Sequence, residues 1–138
     1  METLTDDLVN GAVRFHGHFG PFLILGLRAG LIGINYLGKS YFELNATVST
    51  VPNPPRSCFI DGVQYTSGCT TGKGNLAVNA SNGVSVLFRR GGLSVDLKIR
   101  DGVLNALEKM KTDEEVEAFG REIMKKTDED LFIISVSK

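Results

Sequence analysis

The chain has 138 residues, of which 42% are hydrophobic, and its formal net charge is −1. This length supports one domain with its own core and is short for two, so we expect a single domain over residues 1–138. The near-neutral charge, the aromatic content of 8% and the absence of tryptophan give no basis for binding nucleic acid or an anionic membrane surface.

The first residues lack the basic segment and the apolar run of a signal peptide. The longest apolar stretch, residues 22–37, contains Arg28 and three glycines, and it is shorter than the roughly 20 residues that a membrane span needs. Two cysteines are too few for a disulfide framework. We therefore expect a cytoplasmic protein whose thiols are free or bound to metal.

Two helices are predicted in the N-terminal third. Thr5 is a favourable N-cap with acidic residues in the turn after it, and Gly17 ends this helix. Pro21 begins a second helix that ends before Gly38, a glycine in the usual position after a helix. Because residues 21–37 are apolar on nearly all sides, we expect this helix to be central and buried.

Gly26, Gly30 and Gly33 form a stripe on one side of the second helix. Each glycine costs about 1 kcal/mol of helix stability relative to alanine, so a close backbone approach is the expected compensation. The approaching partner is either the sheet or the same helix of a second protomer, and the latter predicts a homodimer. Arg28 either extends to solvent or neutralises an anion or a carboxylate such as Asp61.

Alternating apolar and polar residues predict strands at residues 41–50, 76–80, 84–89, 93–99 and 131–136. Turn sequences after the second and third of these runs are typical of hairpins, so the three middle strands are expected to form an antiparallel meander. Further helices are predicted at residues 57–67, at 101–111 and from Thr112, where a capping box begins. The sequence thus predicts an α+β fold, in which the meander sheet packs against the buried glycine-containing helix and flanking helices.

His16 and His18, the only histidines, are separated by Gly17. In an extended or turning backbone, side chains at i and i+2 point to the same side, so both imidazoles could reach one point. This geometry suits a metal ion or a proton-transfer pair. The alternative is that both rings hydrogen-bond to backbone groups near a helix end.

A second polar group lies on the predicted helix at residues 57–67, which Ser57 caps and Gly68 ends. Asp61 and Gln64 share one face of this helix, and Cys58 lies one turn before Asp61. The spacing of the cysteines and histidines differs from that of structural zinc modules, so a three-ligand site with an open position fits better. Alternatively, Cys58 is a small buried hydrophobe.

Residues 69–75 form a glycine-rich loop that begins with Cys69. Its glycine spacing differs from that of a nucleotide-binding P-loop, and Gly74 stands where a P-loop has serine or threonine. A looser anion nest of backbone N–H groups and Lys73 remains open. These groups would lower the pKa of the Cys69 thiol, which predicts a nucleophile, a redox thiol or a metal ligand.

The motifs FHGHFGPFLILGLRAG at residues 15–30 and CFIDGVQYTSGCTTGKGN at residues 58–75 resemble those of the FmdE family, named after the E chain of formylmethanofuran dehydrogenase. The family pattern is FHGH, a proline, G-x-R-x-G, D-x-x-Q and GCT-x-GKGN, in this order. The resemblance covers about residues 5–127. It implies an α+β domain that dimerises and binds a divalent metal ion, usually zinc, through the histidine and cysteine cluster. It also implies a link to the molybdenum or tungsten enzyme that reduces CO₂ to formylmethanofuran in methanogenesis.

The family motif falls on ten residues of this chain, to which we assign three roles. The metal ligands are His16, His18 and Cys58; the candidate catalytic residues are Cys69, Asp61 and Gln64; and the residues expected to bind an anion or substrate, or to hold the loop, are Arg28, Thr70, Lys73 and Asn75. Many members have Cys-Pro where this chain has Gly20-Pro21, which removes one thiol. Fused relatives carry a cysteine-rich zinc finger after the core, whereas no cysteine follows Cys69 here.

Two classes of function follow from the resemblance. One is an accessory zinc-binding protein of one-carbon or molybdopterin-linked metabolism, with the subunits of formylmethanofuran dehydrogenase as candidate partners. The other is a small metal- or thiol-dependent enzyme that acts on a pterin-like or C1 substrate through Cys69. A third alternative is a dimeric ligand-binding domain without a metal. An open metal position and a Cys69 thiol that titrates near neutral pH would favour the enzyme.

Overall fold

The computed structural model describes residues 1–138. Its helices are α1 (Asp6–His16), α2 (Pro21–Leu37), α3 (Cys58–Ser67), α4 (Asp101–Glu108), α5 (Asp113–Ile123) and α6 (Asp128–Leu131). Its strands are β1 (Asn45–Thr50), β2 (Leu76–Ala80), β3 (Ser85–Arg90), β4 (Leu93–Ile99) and β5 (Phe132–Ser137). The predicted α+β class is confirmed. The short α6 was not predicted, and β1 begins at Asn45 rather than at residue 41.

The five strands form one mixed sheet in the order β2-β1-β3-β4-β5. The meander is present in β3, β4 and β5, and β1 pairs antiparallel with β3, but β2 pairs parallel with β1. The predicted hairpin between residues 76–80 and 84–89 is therefore wrong. The turn sequence after β2 is real, but β1, which comes earlier in the chain, lies between β2 and β3.

One face of the sheet packs against the helices. Val86, Phe88 and Leu97 are fully buried on this face, within a core cluster of 30 buried hydrophobic residues. The opposite face carries half-exposed polar residues such as Thr47 and Asp96. This one-sided burial follows from the alternation of apolar and polar residues along each strand.

Helix α2 lies at the centre of the fold, as predicted. A Cβ atom added at Gly26 would lie 2.9 Å from the Cα atom of Gly62 in α3, and one added at Gly30 would lie 3.0 Å from the Cβ atom of Thr66. Gly33 contacts a phenylalanine ring of the sheet. The glycine stripe therefore packs within one chain, and the expected homodimer stays a prediction without this argument. None of the helices, α2 included, has the length and apolar character that crossing a membrane requires.

Helix boundaries bring the two polar segments together. Thr5 Oγ1 accepts a hydrogen bond from the N–H of Leu8, and Gly17 adopts a left-handed φ of 113° that turns the chain sharply after α1. Pro21 then begins α2 after a short linker. Because α3 packs along α2, its first residue, Cys58, lies near the start of α2.

Candidate metal centre

Three potential metal ligands converge where α1 ends and α3 begins. His16 is the last residue of α1, His18 follows the turn at Gly17, and Cys58 is the first residue of α3. Their nearest donor atoms all lie within 4.8 Å of one another. The two imidazole rings have centroids 4.7 Å apart, so the i and i+2 spacing directs both rings to one place, as predicted.

The imidazole of His16 is oriented by Asp61. Its Nδ1 lies 2.6 Å from Asp61 Oδ2, so Nδ1–H donates to the carboxylate and Nε2 carries the lone pair. The His16 side chain is only 9% exposed. Nε2 is the one buried side-chain nitrogen or oxygen in the chain that has no hydrogen-bond partner. A buried nitrogen without a partner costs free energy, and a metal ion bound to Nε2 would remove that cost.

His18 is exposed, and its ring is oriented through the opposite edge of the site. Its Nδ1 lies 3.2 Å from the carbonyl oxygen of Phe19, which leaves Nε2 free. A Cβ atom at Gly20 would lie 3.1 Å from His18 Cε1. The glycine at this position therefore leaves room for the ring of His18.

Cys58 is half-buried at the start of α3. Burial raises the pKa of its thiol, and the nearby carboxylate of Asp61 raises it further. The thiol is therefore protonated at neutral pH unless a cation binds beside it. Its position next to two histidines distinguishes it from a cysteine that only fills the core.

A pocket of about 620 Å³ opens beside His18 and Cys58. One side is the start of α2, at residues 20–23, and the other side is formed by α4 and α5. The wall from α4 and α5 includes Leu107, Met110, Asp113, Glu114, Val116 and Glu117. No sequence motif indicated this wall, because an apolar helix stripe and acids in a first helical turn have ordinary structural roles.

Asp61 and Gln64 share one face of α3, as predicted, and they connect the histidine cluster to the glycine-rich loop. Gln64 Nε2 makes a long hydrogen bond of 3.5 Å to Asp61 Oδ1. Gln64 Oε1 accepts a hydrogen bond of 3.0 Å from the N–H of Thr71. Both side chains position other groups, and their roles in catalysis remain predictions.

The predicted reactive character of Cys69 is wrong. The residue is fully buried, and its Sγ donates to the carbonyl oxygen of Leu44 at 3.4 Å. Burial raises the pKa of the thiol, and the opposing effects of Ser67 and Lys73 are smaller. Cys69 lies beyond the far end of α3, so it is roughly 15 Å from Cys58 by the helical rise alone.

The loop after Cys69 is held by its own side chains. Thr70 Oγ1 accepts hydrogen bonds from both the N–H and Nζ of Lys73, at 3.2 and 3.1 Å. The buried Asn75 accepts from the N–H of Thr70 at 2.8 Å and donates to the carbonyl oxygens of Tyr41 and Leu44. Of the two roles predicted for these residues, the structure shows the one that holds the loop.

Arg28 points away from the histidine cluster, which contradicts a contact with Asp61. Its guanidinium donates to the carbonyl oxygens of Ile123 and Lys126, both at 2.7 Å, and to Asp128 Oδ1 at 2.9 Å. These bonds satisfy carbonyl groups at the C-terminal end of α5. Arg28 therefore fixes the C-terminal helices on α2, and its donors are not available to an anion.

Comparisons with known proteins agree with this fold. The sequence profile of the family described as "FmdE, Molybdenum formylmethanofuran dehydrogenase operon" matches residues 15–133. A probable S-adenosyl-L-methionine-binding protein of Archaeoglobus fulgidus is 37% identical over 70 residues, which cover 47% of this chain but only 18% of that protein.

A crystal structure of an FmdE-like protein of the tungsten formylmethanofuran dehydrogenase type, from Syntrophus aciditrophicus, superposes with a TM-score of 0.74. The match covers 100% of this chain and 77% of that one, at 21% identity, so it shows a shared fold. Together with the profile match over most of the chain, this places the protein in the FmdE family.

Proposed function

We propose that the chain binds one divalent metal ion, with zinc as the first candidate, through His16, His18 and Cys58. The observation that carries this proposal is the buried Nε2 of His16, which has no hydrogen-bond partner and lies beside two further donors within 4.8 Å. The carboxylate of Asp61 on Nδ1 is the partner that a metal-binding histidine usually has.

The donor set fits zinc. Two imidazoles and one thiolate are ligands that zinc binds readily, at bond lengths of about 2.0–2.3 Å. Ligand atoms of such a tetrahedral site are about 3.3–3.8 Å apart, so the three donors would have to approach one another by only about 1 Å. His18 is exposed and can make this adjustment by a change of side-chain rotamer.

Three protein ligands leave a fourth position, and this position would face the pocket beside His18 and Cys58. A zinc ion with an open position acts as a Lewis acid toward a bound water or ligand. The chain's own contribution is to hold His16 through Asp61, to hold Asp61 through Gln64, and to cover one side of the site with the apolar start of α2.

The family description supports a role in the metabolism served by formylmethanofuran dehydrogenase, and the subunits of that molybdenum or tungsten enzyme are the proposed partners. A cytoplasmic accessory protein of this kind is the first candidate. The open position favours a second candidate, a small metal-dependent enzyme for a pterin-like or C1 substrate. The burial of Cys69 removes it from that enzyme, so any chemistry would take place at the metal.

The test is the zinc content per chain, measured by mass spectrometry on protein purified without a histidine tag. We expect about one zinc ion per chain in the wild type and a loss of most of it in His18→Ala. Because His18 is exposed, this variant should fold normally, which circular dichroism would check. Wild-type protein that folds normally but takes up neither zinc nor another divalent ion would contradict the proposal.

A further inference from the structure

The pocket beside the histidine cluster has an uneven distribution of charge. Its lining contains the carboxylates of Asp113, Glu114 and Glu117 and no lysine or arginine. Asp113 and Glu114 make no hydrogen bond or ion pair through their side chains, while Glu117 lies 3.9 Å from Arg121, outside the pocket. Glu117 is three and four residues from the other two acids on α5, a spacing at which like charges repel. This side of the pocket therefore favours a cationic group.

The opposite side of the pocket is positive. Helix α2 begins there at Gly20, which has no side chain to cap the helix, and the N–H groups of Phe22 and Leu23 form no hydrogen bond within the chain. The positive end of the helix dipole adds to these free donors. The unpartnered Nε2 of the buried His16 lies on this side and indicates a bound ion independently of the helix. A divalent ion with one thiolate ligand would leave a net positive charge there.

Between the two charged sides the lining is apolar. Phe22, Leu107, Met110 and Val116 contribute to it, and the volume of about 620 Å³ is typical of a pocket for a small molecule. A ligand that extends from the metal to α5 would bury its middle against these side chains.

We propose that this pocket binds a small zwitterionic molecule. Its anionic group, such as a carboxylate, occupies the open metal position near the free N–H groups of α2, and its cationic group lies against Asp113 and Glu114. The inference rests on the metal site proposed above. It adds a requirement for a positive charge at the other end of the ligand, which the metal alone does not impose.

The acids of α5 also stabilise the first turn of their own helix, and this role alone would explain their presence. A ligand-binding role predicts something more, namely that removing one pocket-facing charge weakens binding of a zwitterion but not of a simple anion. Glu122 provides a matched control, because it is an exposed glutamate of the same helix that does not line the pocket.

The experiment is calorimetric titration of the zinc-loaded protein with β-alanine and its longer homologues up to ε-aminocaproate. The matched probes are the carboxylic acids from propionate to caproate and the amines from propylamine to hexylamine. At the best chain length, we expect the amino acid to bind about tenfold more tightly than either the acid or the amine of equal length.

Replacement of the charges should act on one class of probe. Glu114→Gln should weaken binding of the amino acid about threefold, and Asp113→Asn with Glu114→Gln about tenfold, with the acid unaffected and Glu122→Gln like the wild type. Equal binding of acids and amino acids by zinc-loaded protein, or binding of neither, overturns this inference and leaves the metal site standing. Failure to load zinc or another divalent ion overturns both.

Discussion

The two ends of α3 carry similar residues in different environments. At the N-terminal end, Cys58 is half-buried beside two histidines and lines the wall of a pocket. At the C-terminal end, Cys69 is fully buried, and its Sγ donates to a backbone carbonyl oxygen. Both ends contain a thiol and further polar side chains, so residue types alone do not separate them.

Hydrogen bonding separates the two ends. In the loop after Cys69, Thr70 and Asn75 are paired with groups of the loop itself or of the chain before β1. Near Cys58, the Nε2 of His16 is buried without a partner. Buried polar groups are nearly always paired, so the unpaired nitrogen indicates where a ligand is needed, and the satisfied loop indicates a structural role.

The largest effect on both ends should come from Gly26→Ala, because α3 is positioned by its contact with α2. The new Cβ atom would lie 2.9 Å from Gly62 Cα and closer still to the carbonyl oxygen of Phe59, so α3 has to shift. We expect the free energy of unfolding to fall by about 3 kcal/mol, measured by urea denaturation. Gly102→Ala is the matched control, since nothing lies within 4 Å of its Cβ position in α4. It should be neutral or stabilising by up to about 1 kcal/mol, and equal stability of both variants would contradict the tight contact.

Asp61→Asn tests the N-terminal end alone. The amide keeps the size of the carboxylate but loses the charge that orients His16 through Nδ1. We expect zinc affinity to fall about 10- to 100-fold, measured by competition with a coloured chelator. Gln64→Ala, which removes only the long contact to Asp61 and the bond to Thr71, should have a smaller effect. Unchanged affinity in Asp61→Asn would exclude this orienting role.

A smaller effect should be seen at the C-terminal end at alkaline pH. Burial raises the pKa of the Cys69 thiol above its ordinary value of 9.0, so the folded protein holds this proton more tightly than the unfolded chain. The resulting stability is fully present below the ordinary pKa and is lost as the pH rises through the folded value. In metal-free protein, the stability of the wild type relative to Cys69→Ser should fall by about 1 kcal/mol between about pH 8 and pH 10. A difference that does not change with pH would show that the thiol is not held in its protonated form.

The features that could be predicted from the sequence are local ones. Thr5, Gly17, Pro21 and Thr112 set helix ends through contacts with residues a few positions away, so their patterns are sufficient. The order of the strands was not local. The turn after β2 fits a hairpin, but the pairing of β2 with β1 depends on segments about 30 residues apart in sequence.

The candidate site divides in the same way. The motifs brought His16, His18 and Cys58 to attention, and the fold places them together. The burial of Cys69, the contact of Arg28 with Asp128 and the pocket wall from α4 and α5 all depend on long-range packing. No spacing rule in the sequence specifies how deeply a loop cysteine is covered or which carboxylate an arginine reaches.

Titration with Co²⁺ tests most directly which end of α3 holds the metal. Thiolate coordination to cobalt gives an intense charge-transfer absorption that imidazole ligands do not give. We predict this absorption in the wild type and in Cys69→Ser, and its loss in Cys58→Ser. Absorption that is retained in Cys58→Ser and lost in Cys69→Ser would contradict the account.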